Sequence, residues 1–159
     1  MKKLFIILVI IMCISCSDND TTPKQGTVIG ASMDVLLKNR EGINIFDTDK
    51  YPENSISIRY LIGGKEFGYG YDTPGAVLDN PKGFFIVNFA EIGKGMSVFL
   101  NHDSSEEYPI TYIYWNATDV DTIKTQYRRT ENSIILEKAW LFKNGDWEVT
   151  APPYITIVK

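Results

Sequence analysis

Between Ser55 and Ile62 the chain alternates with a period of two: Ile56, Ile58, Tyr60 and Ile62 on one side, and the mixed set Ser55, Ser57, Arg59 and Leu61 on the other. A period of two sends successive side chains to opposite faces of an extended backbone, whereas a helix would repeat its apolar positions every three or four residues. The segment is therefore expected to be a strand with one buried face. Gly63-Gly64 follows, and Glu66 to Tyr71 resumes the alternation with Phe67, Tyr69 and Tyr71 on one side, which reads as a β-hairpin closed by a Gly-Gly turn. A hairpin with one apolar face must bury that face against a second layer, so the rest of the chain has to supply one.

It supplies more strands. Thr27 to Leu37 carries Val28, Ile29, Val35, Leu36 and Leu37 around Gly30, Ala31 and Ser32, and fits one bent strand or two short ones. Phe84 to Phe89, Met96 to Leu100, Thr111 to Trp115, Thr122 to Tyr127, Ser133 to Phe142 and Tyr154 to Val158 are short runs rich in β-branched and aromatic residues. Turn-forming stretches separate them: Asn39-Arg40-Glu41-Gly42, Thr73-Pro74-Gly75, Asp79-Asn80-Pro81, Gly93-Lys94-Gly95, Asn101 to Glu107 and Asn116 to Asp119. No segment has helical spacing. The expected fold is all-β, a single antiparallel β-sandwich domain over residues 27–159, immunoglobulin-like or transthyretin-like, with about seven to nine strands. The plan is architectural only, because the chain lacks the cysteine pair that staples antibody domains.

The first residues read as an address rather than as fold. Lys2 and Lys3 precede an apolar run from Leu4 to Ile14, and the chain turns polar at Ser15, the order of a secretory signal over residues 1–15. The run is about 11 residues long, too short for the roughly 17 to 25 a membrane-spanning helix needs. Cys13-Ile14-Ser15-Cys16 resembles the lipobox at which bacteria acylate a cysteine and cleave before it. Small Ser15 fits that motif; Cys13, where the motif prefers Leu, departs from it. The resemblance implies that Cys16 is the lipid-bearing first residue of the mature chain. Both cysteines of the protein lie here, so the exported domain uses no disulfide. Two or three acyl chains hold a protein on a membrane durably where one does not.

Ser17, Asp18, Asn19 and Asp20, directly behind Cys16, resemble the acidic export signal of surface-exposed lipoproteins in Bacteroidota. The resemblance covers Met1 to Asp20 and implies an outer-membrane, cell-surface location. Residues 16–26, rich in Asp, Thr and Pro, hold too little apolar surface to pack and read as a tether. Asp20-Thr21-Thr22 and Asp121-Thr122-Ile123 resemble the Asp-Ser/Thr-apolar pattern that receives O-glycans in such proteins, with Thr21 and Thr122 as acceptors.

Charge and residue inventory narrow the chemistry. The net charge is -4, and losing Lys2 and Lys3 with the leader leaves -6. Arg128-Arg129 is the only basic pair that stands out, so no nucleic-acid partner is expected, since phosphate binding needs a basic face. The single histidine, His102, lies in the polar stretch Asn101 to Glu107 without a nucleophile-elbow motif, and one histidine with no free cysteine does not make a zinc site. No motif selects a glycosidase carboxylate pair from the many acids. No enzyme activity and no cofactor is expected. Calcium is the one ion whose oxygen-rich ligand chemistry the acidic loops at Asp47-Thr48-Asp49, Asn101 to Glu107 and Asn116 to Asp121 resemble, although none has the EF-hand pattern.

Aromatic side chains are the remaining candidates for binding. Trp115, Trp140 and Trp147, with Tyr69, Tyr71, Tyr112 and Tyr114, offer flat rings to a glycan or protein ligand, although alternation sends roughly half of them inward. The expectation is a lipid-anchored, non-catalytic binding or adhesion module; the alternative is a structural or accessory subunit of an envelope complex with no soluble ligand. Replacing Cys16→Ala is expected to abolish incorporation of labelled palmitate and release the protein from membranes. In protease shaving of intact cells, an epitope-tagged wild type is expected to lose its tag, and a variant with alanine at Ser17, Asp18, Asn19 and Asp20 to keep it. Protection of both would place the domain in the periplasm.

Overall fold

The computed structural model describes residues 26–70, 80–150, 152 and 154–159. Eleven strands run through them: β1 (Val28–Gly30), β2 (Ser32–Lys38), β3 (Ser57–Ile62), β4 (Lys65–Gly68), β5 (Phe84–Phe89), β6 (Gly93–Phe99), β7 (Ile110–Tyr114), β8 (Val120–Thr130), β9 (Ser133–Lys143), β10 (Asp146–Thr150) and β11 (Tyr154–Val158). The helical content of the described residues is two single 3-10 turns, Ile45–Asp47 and Glu53–Ser55. The larger sheet has the order β1-β9-β8-β7-β3-β4, with β10 also on β9; the smaller has the order β11-β2-β6-β5. The fold is all-β, as the alternation requires. None of the described helices is long and apolar enough to cross a membrane.

The expected hairpin forms as read. β3 and β4 pair antiparallel from Ile62↔Lys65 to Arg59↔Gly68, and Gly63 and Gly64 both take positive φ, +57° and +76°, which a two-residue hairpin turn of this hand demands and glycine alone adopts freely. Ile58 and Tyr60 are buried while Ser57 and Arg59 are exposed.

Three expectations are corrected. Neither sheet is purely antiparallel: β1 runs parallel to β9 and β11 runs parallel to β2. Thr27 to Leu37 divides at Gly30-Ala31, β1 joining the large sheet and β2 the small one, so one extended segment brings the same chain direction to both. The strand count exceeds nine because of that division and because Asp146–Thr150, outside the expected strands, is β10. Gly93-Lys94-Gly95, read as a turn, belongs to β6. Val87 and Phe89 of β5 pair with Gly95 and Gly93, and the Phe89 ring lies over Gly95, where an added Cβ would come within 2.7 Å of its Cε2 and 3.0 Å of the Val35 carbonyl oxygen.

The two sheets share one core. From the large sheet it takes Ile58 and Tyr60 of β3, Ile113 of β7, Ile123 of β8, and Ala139 and Leu141 of β9; from the small sheet, Met33, Val35 and Leu37 of β2, Phe84 of β5, Met96 and Val98 of β6, and Ile155 and Ile157 of β11. Each aliphatic or phenyl side chain fully buried this way contributes about 1.5–3 kcal/mol. Trp115, fully buried just beyond β7, packs edge-on against Phe46 at 6.0 Å and tilted against Tyr51 at 5.8 Å.

Gly95→Ala is expected to lower stability by about 1–3 kcal/mol, the range for overpacking a filled site, read as a lower urea midpoint. An unchanged midpoint would show that the Phe89 ring moves aside freely.

Candidate functional site

In an antiparallel sheet, residues directly opposite each other project from the same face. Register therefore assembles the outer face of the large sheet, away from the core. One row crosses five strands: Leu61 opposite Ile110, Ile110 opposite Lys124, Lys124 opposite Trp140, and Trp140 opposite Val149. Beside it on one side runs a second row, Arg59, Tyr112 and Thr122, which the Phe142–Trp147 pair continues on β9 and β10. Ser57, Tyr114 and Val120 form a third, shorter row. A solvent-facing sheet surface ordinarily carries polar residues; this one carries rings and branched apolar chains. Val149 is 74% exposed and Phe142 44%.

The densest point is around Lys124. Its ammonium stands 4.3 Å from the ring centre of Trp147, 5.1 Å from that of Trp140 and 6.0 Å from that of Tyr108. Tyr108 meets Trp140 edge-on, and Phe142 tilts against Trp147 at 5.1 Å. Such cation-on-ring contacts are each worth about 0.5–2 kcal/mol, enough to hold three rings and a charge in one arrangement at the surface. The Tyr108 hydroxyl is held above its ordinary pKa, first by its hydrogen bond to Glu107 and then by that residue's charge.

At the other end of the face, the Arg59 guanidinium lies 5.8 Å from the Tyr114 ring centre and 3.8 Å from the Glu66 carboxylate. The Tyr114 hydroxyl donates to Glu66 at 3.1 Å. Burial, followed by Glu66, pushes the Tyr112 and Tyr114 hydroxyls above the usual tyrosine range. Ser55, Ser57, Arg59, Tyr114, Asn116 and Ala117 line a shallow groove of about 350 Å³ here.

The structure sorts the aromatic candidates. Trp140 and Trp147 come together on adjacent strands of this face. Trp115 does not join them: it is fully buried, its indole N–H donates to Asp121, and it is a core residue rather than part of a binding surface. Tyr69 is half-buried and points between the sheets, edge-on to Tyr60 and stacked at 6.1 Å on Phe99. Tyr112 and Tyr114 are half-buried on the outer face. Thr122 lies half-buried within β8, not in an accessible loop. Cys16, Ser17, Asp18, Asn19, Asp20, Thr21 and Tyr71 lie outside the described residues.

Lys124, Phe142, Tyr108 and Val149 were not among the candidates. One signal was available for part of this: Asn144-Gly145 is the two-residue hairpin dipeptide, it adopts φ of +53° and +87°, and it folds β10 back on β9 so that Trp147 meets Phe142.

The acidic loops are engaged internally. Lys159 places its ammonium 2.6 Å from Asp119 and 2.7 Å from Asp121, and Asp119 also accepts the Tyr51 hydroxyl at 2.5 Å. Burial raises the Asp119 carboxyl, but hydrogen bonds from Lys159 and Tyr51 and the nearby positive charges outweigh it and hold the group below the usual carboxylate range. Asp103 is lowered chiefly by hydrogen bonds from Ser105. His102 is half-buried with Nδ1 3.3 Å from the Leu100 carbonyl oxygen. Asn101, read as part of a solvated loop, is 1% exposed: its side-chain amide donates to the Leu61 and Ile110 carbonyls. Among the described residues no three His, Cys, Asp or Glu side chains gather at metal-binding spacing. Compared with known proteins, the chain matches no family model and shows no significant similarity to a curated protein or a solved structure.

A carboxylate whose pKa is depressed in the folded state adds stability above its unfolded value of about 4, and that stability is lost as pH falls through the folded value. Asp119→Asn is thus expected to lower the urea midpoint at neutral pH and to remove part of the wild type's loss of stability on acidification. Identical midpoints for variant and wild type at neutral pH would refute a structural role for this network.

Proposed function

We propose that the domain is a non-catalytic binding module, held at the cell surface through acylated Cys16, and that its binding face is the outer face of the large sheet. The observation that carries this reading is the outer-face cluster around Lys124, in which half-buried Trp140 and Trp147 stand beside exposed Phe142 and Tyr108. Exposed contiguous apolar surface rimmed by polar groups marks interaction sites, and tryptophan and tyrosine dominate binding energy where they are held rigidly. Flat rings fixed on paired strands suit the apolar faces of sugar rings, so a glycan is the ligand of first choice. The architecture is read as immunoglobulin-like, on the grounds that the first strand switches sheets and the last pairs parallel with its second half. Of the two O-glycan acceptors we retain Thr21, because Thr122 lies within the proposed binding face itself.

An envelope-protein partner is the second reading. It is favoured by the row from Leu61 to Val149, in which Lys124 is the one charged residue and the outermost side chain, Val149, is almost three-quarters exposed.

In affinity electrophoresis through gels containing soluble polysaccharides, the protein is expected to be retarded by at least one glycan. Trp147→Ala should weaken that retardation about tenfold or more while leaving the unfolding temperature close to that of the wild type. Retardation that survives both Trp140→Ala and Trp147→Ala would remove the face from the function. Co-purification of an envelope protein without any glycan retardation would shift the assignment to the second reading.

A further inference from the structure

We infer that the ligand of this face is an acidic polysaccharide, one bearing carboxylates on its sugar rings; the inference rests on the binding role proposed above. Its basis is a charge distribution opposite to that of the whole chain. The protein is net negative at -4, yet the charges projecting around the Trp140–Trp147 cluster are positive. Lys124 stands at its centre. Lys138, opposite Gln126 on the same face, lies two residues along β9 from Trp140. The acids of β10, Asp146 and Glu148, alternate with Trp147 and Val149 and so leave from the opposite face.

The neighbouring carboxylates are already engaged. Glu107 is bonded by the Tyr108 hydroxyl, Glu137 pairs with Arg128 at 3.7 Å, and Glu148 pairs with Lys143 at 3.6 Å. None of the ion pairs among the described residues includes Lys124, whose ammonium instead faces three rings. Rings satisfy a cation only in part, and hydrogen bonds between charged groups are among the stronger polar contacts. A sugar carboxylate reaching Lys124 would place the ring that bears it directly over Trp140 and Trp147.

The shape of the face favours a polymer over a single sugar. A second cation-on-ring station, Arg59 over Tyr114, lies on β3, four strand spacings from β10, or about 19 Å. The apolar row and the Tyr112–Thr122 row run across the strands between the two stations, so an extended chain laid perpendicular to the strands meets Lys124 near one end, the Arg59 guanidinium paired with Glu66 at the other, and rings along its length.

The test uses the full-length chain in a non-ionic detergent, with four immobilised probes: polygalacturonate, the same polymer methyl-esterified, hyaluronan and poly-glutamate. The expected result is capture by polygalacturonate or hyaluronan, about tenfold weaker capture by the ester, and weakening as ionic strength rises. Lys124→Gln should erase the preference for acid over ester, and Lys124→Arg should keep it. Equal capture by polygalacturonate and its ester would overturn the acidic assignment and leave the sugar-binding role standing. Capture by poly-glutamate as tight as by the polysaccharides would overturn the sugar in favour of an acidic protein. Capture by none of the four would overturn the acidic assignment, and the glycan-binding role would fall with it only if no soluble polysaccharide retarded the protein in affinity electrophoresis.

Discussion

The ammonium of Lys159, set between the carboxylates of Asp119 and Asp121, joins parts of the chain that no backbone ladder connects. Lys159 follows β11 of the small sheet, and its backbone N–H donates to the Lys38 carbonyl at the end of β2. The two acids flank the start of β8 in the large sheet. Through them the lock reaches Tyr51, which donates to Asp119, and Trp115, which donates to Asp121. Both rings belong to the core. A partly buried ion pair of this kind is costly to break from one side, because the surviving charge loses its partner without regaining water. It therefore sets where the sheets meet at that end, and with it the depth at which Trp115 sits.

Asn101 does the corresponding work at the other end of β7. The chain leaves the small sheet after β6 and enters the large one at Ile110, and a crossing of that kind strands polar backbone inside. Asn101 satisfies it in both directions, donating to Leu61 and Ile110 and accepting at its carbonyl from the Tyr127 hydroxyl at 2.9 Å. Its own N–H goes to the Thr111 hydroxyl at 2.8 Å. Among the described residues no buried side-chain nitrogen or oxygen lacks a partner. With both ends closed by satisfied polar groups, the inner face of the large sheet is committed to the core, and the aromatic residues of the opposite face are left to the outside.

That commitment leaves on the outer face what composition alone would call core material. β7 shows it most plainly: Thr111 is fully buried while Tyr112 and Tyr114 are half-exposed, the reverse of what their apolar areas would suggest. The exchange holds because Thr111 has a hydrogen-bonding duty inside and the tyrosines have ring, cation and carboxylate partners outside. On β9 and β10 the same division puts Leu141 inside and Trp140, Phe142 and Trp147 outside, where Lys124 stands over the rings of Trp140 and Trp147.

Period-two alternation is a local property, so Ile58 and Tyr60 could be assigned to one face, the Gly63-Gly64 hairpin placed, and a helical fold excluded from the amino-acid sequence by itself. The leader-like opening and the lipobox resemblance at Cys16 are likewise legible there, being linear patterns that need no folded partner to be read. Alternation does not say which of two faces will meet another sheet when both carry rings, and Trp115 and Trp140 are indistinguishable on that ground. Their separation depends on contacts distant in sequence: the indole of Trp115 is drawn in by Asp121 and packed by Phe46 and Tyr51, whereas Trp140 stands above Lys124 on the far side of the sheet. The parallel pairings of β1 with β9 and β11 with β2 are of the same kind. They arise only when remote segments are brought side by side, and no pattern within either segment specifies its partner.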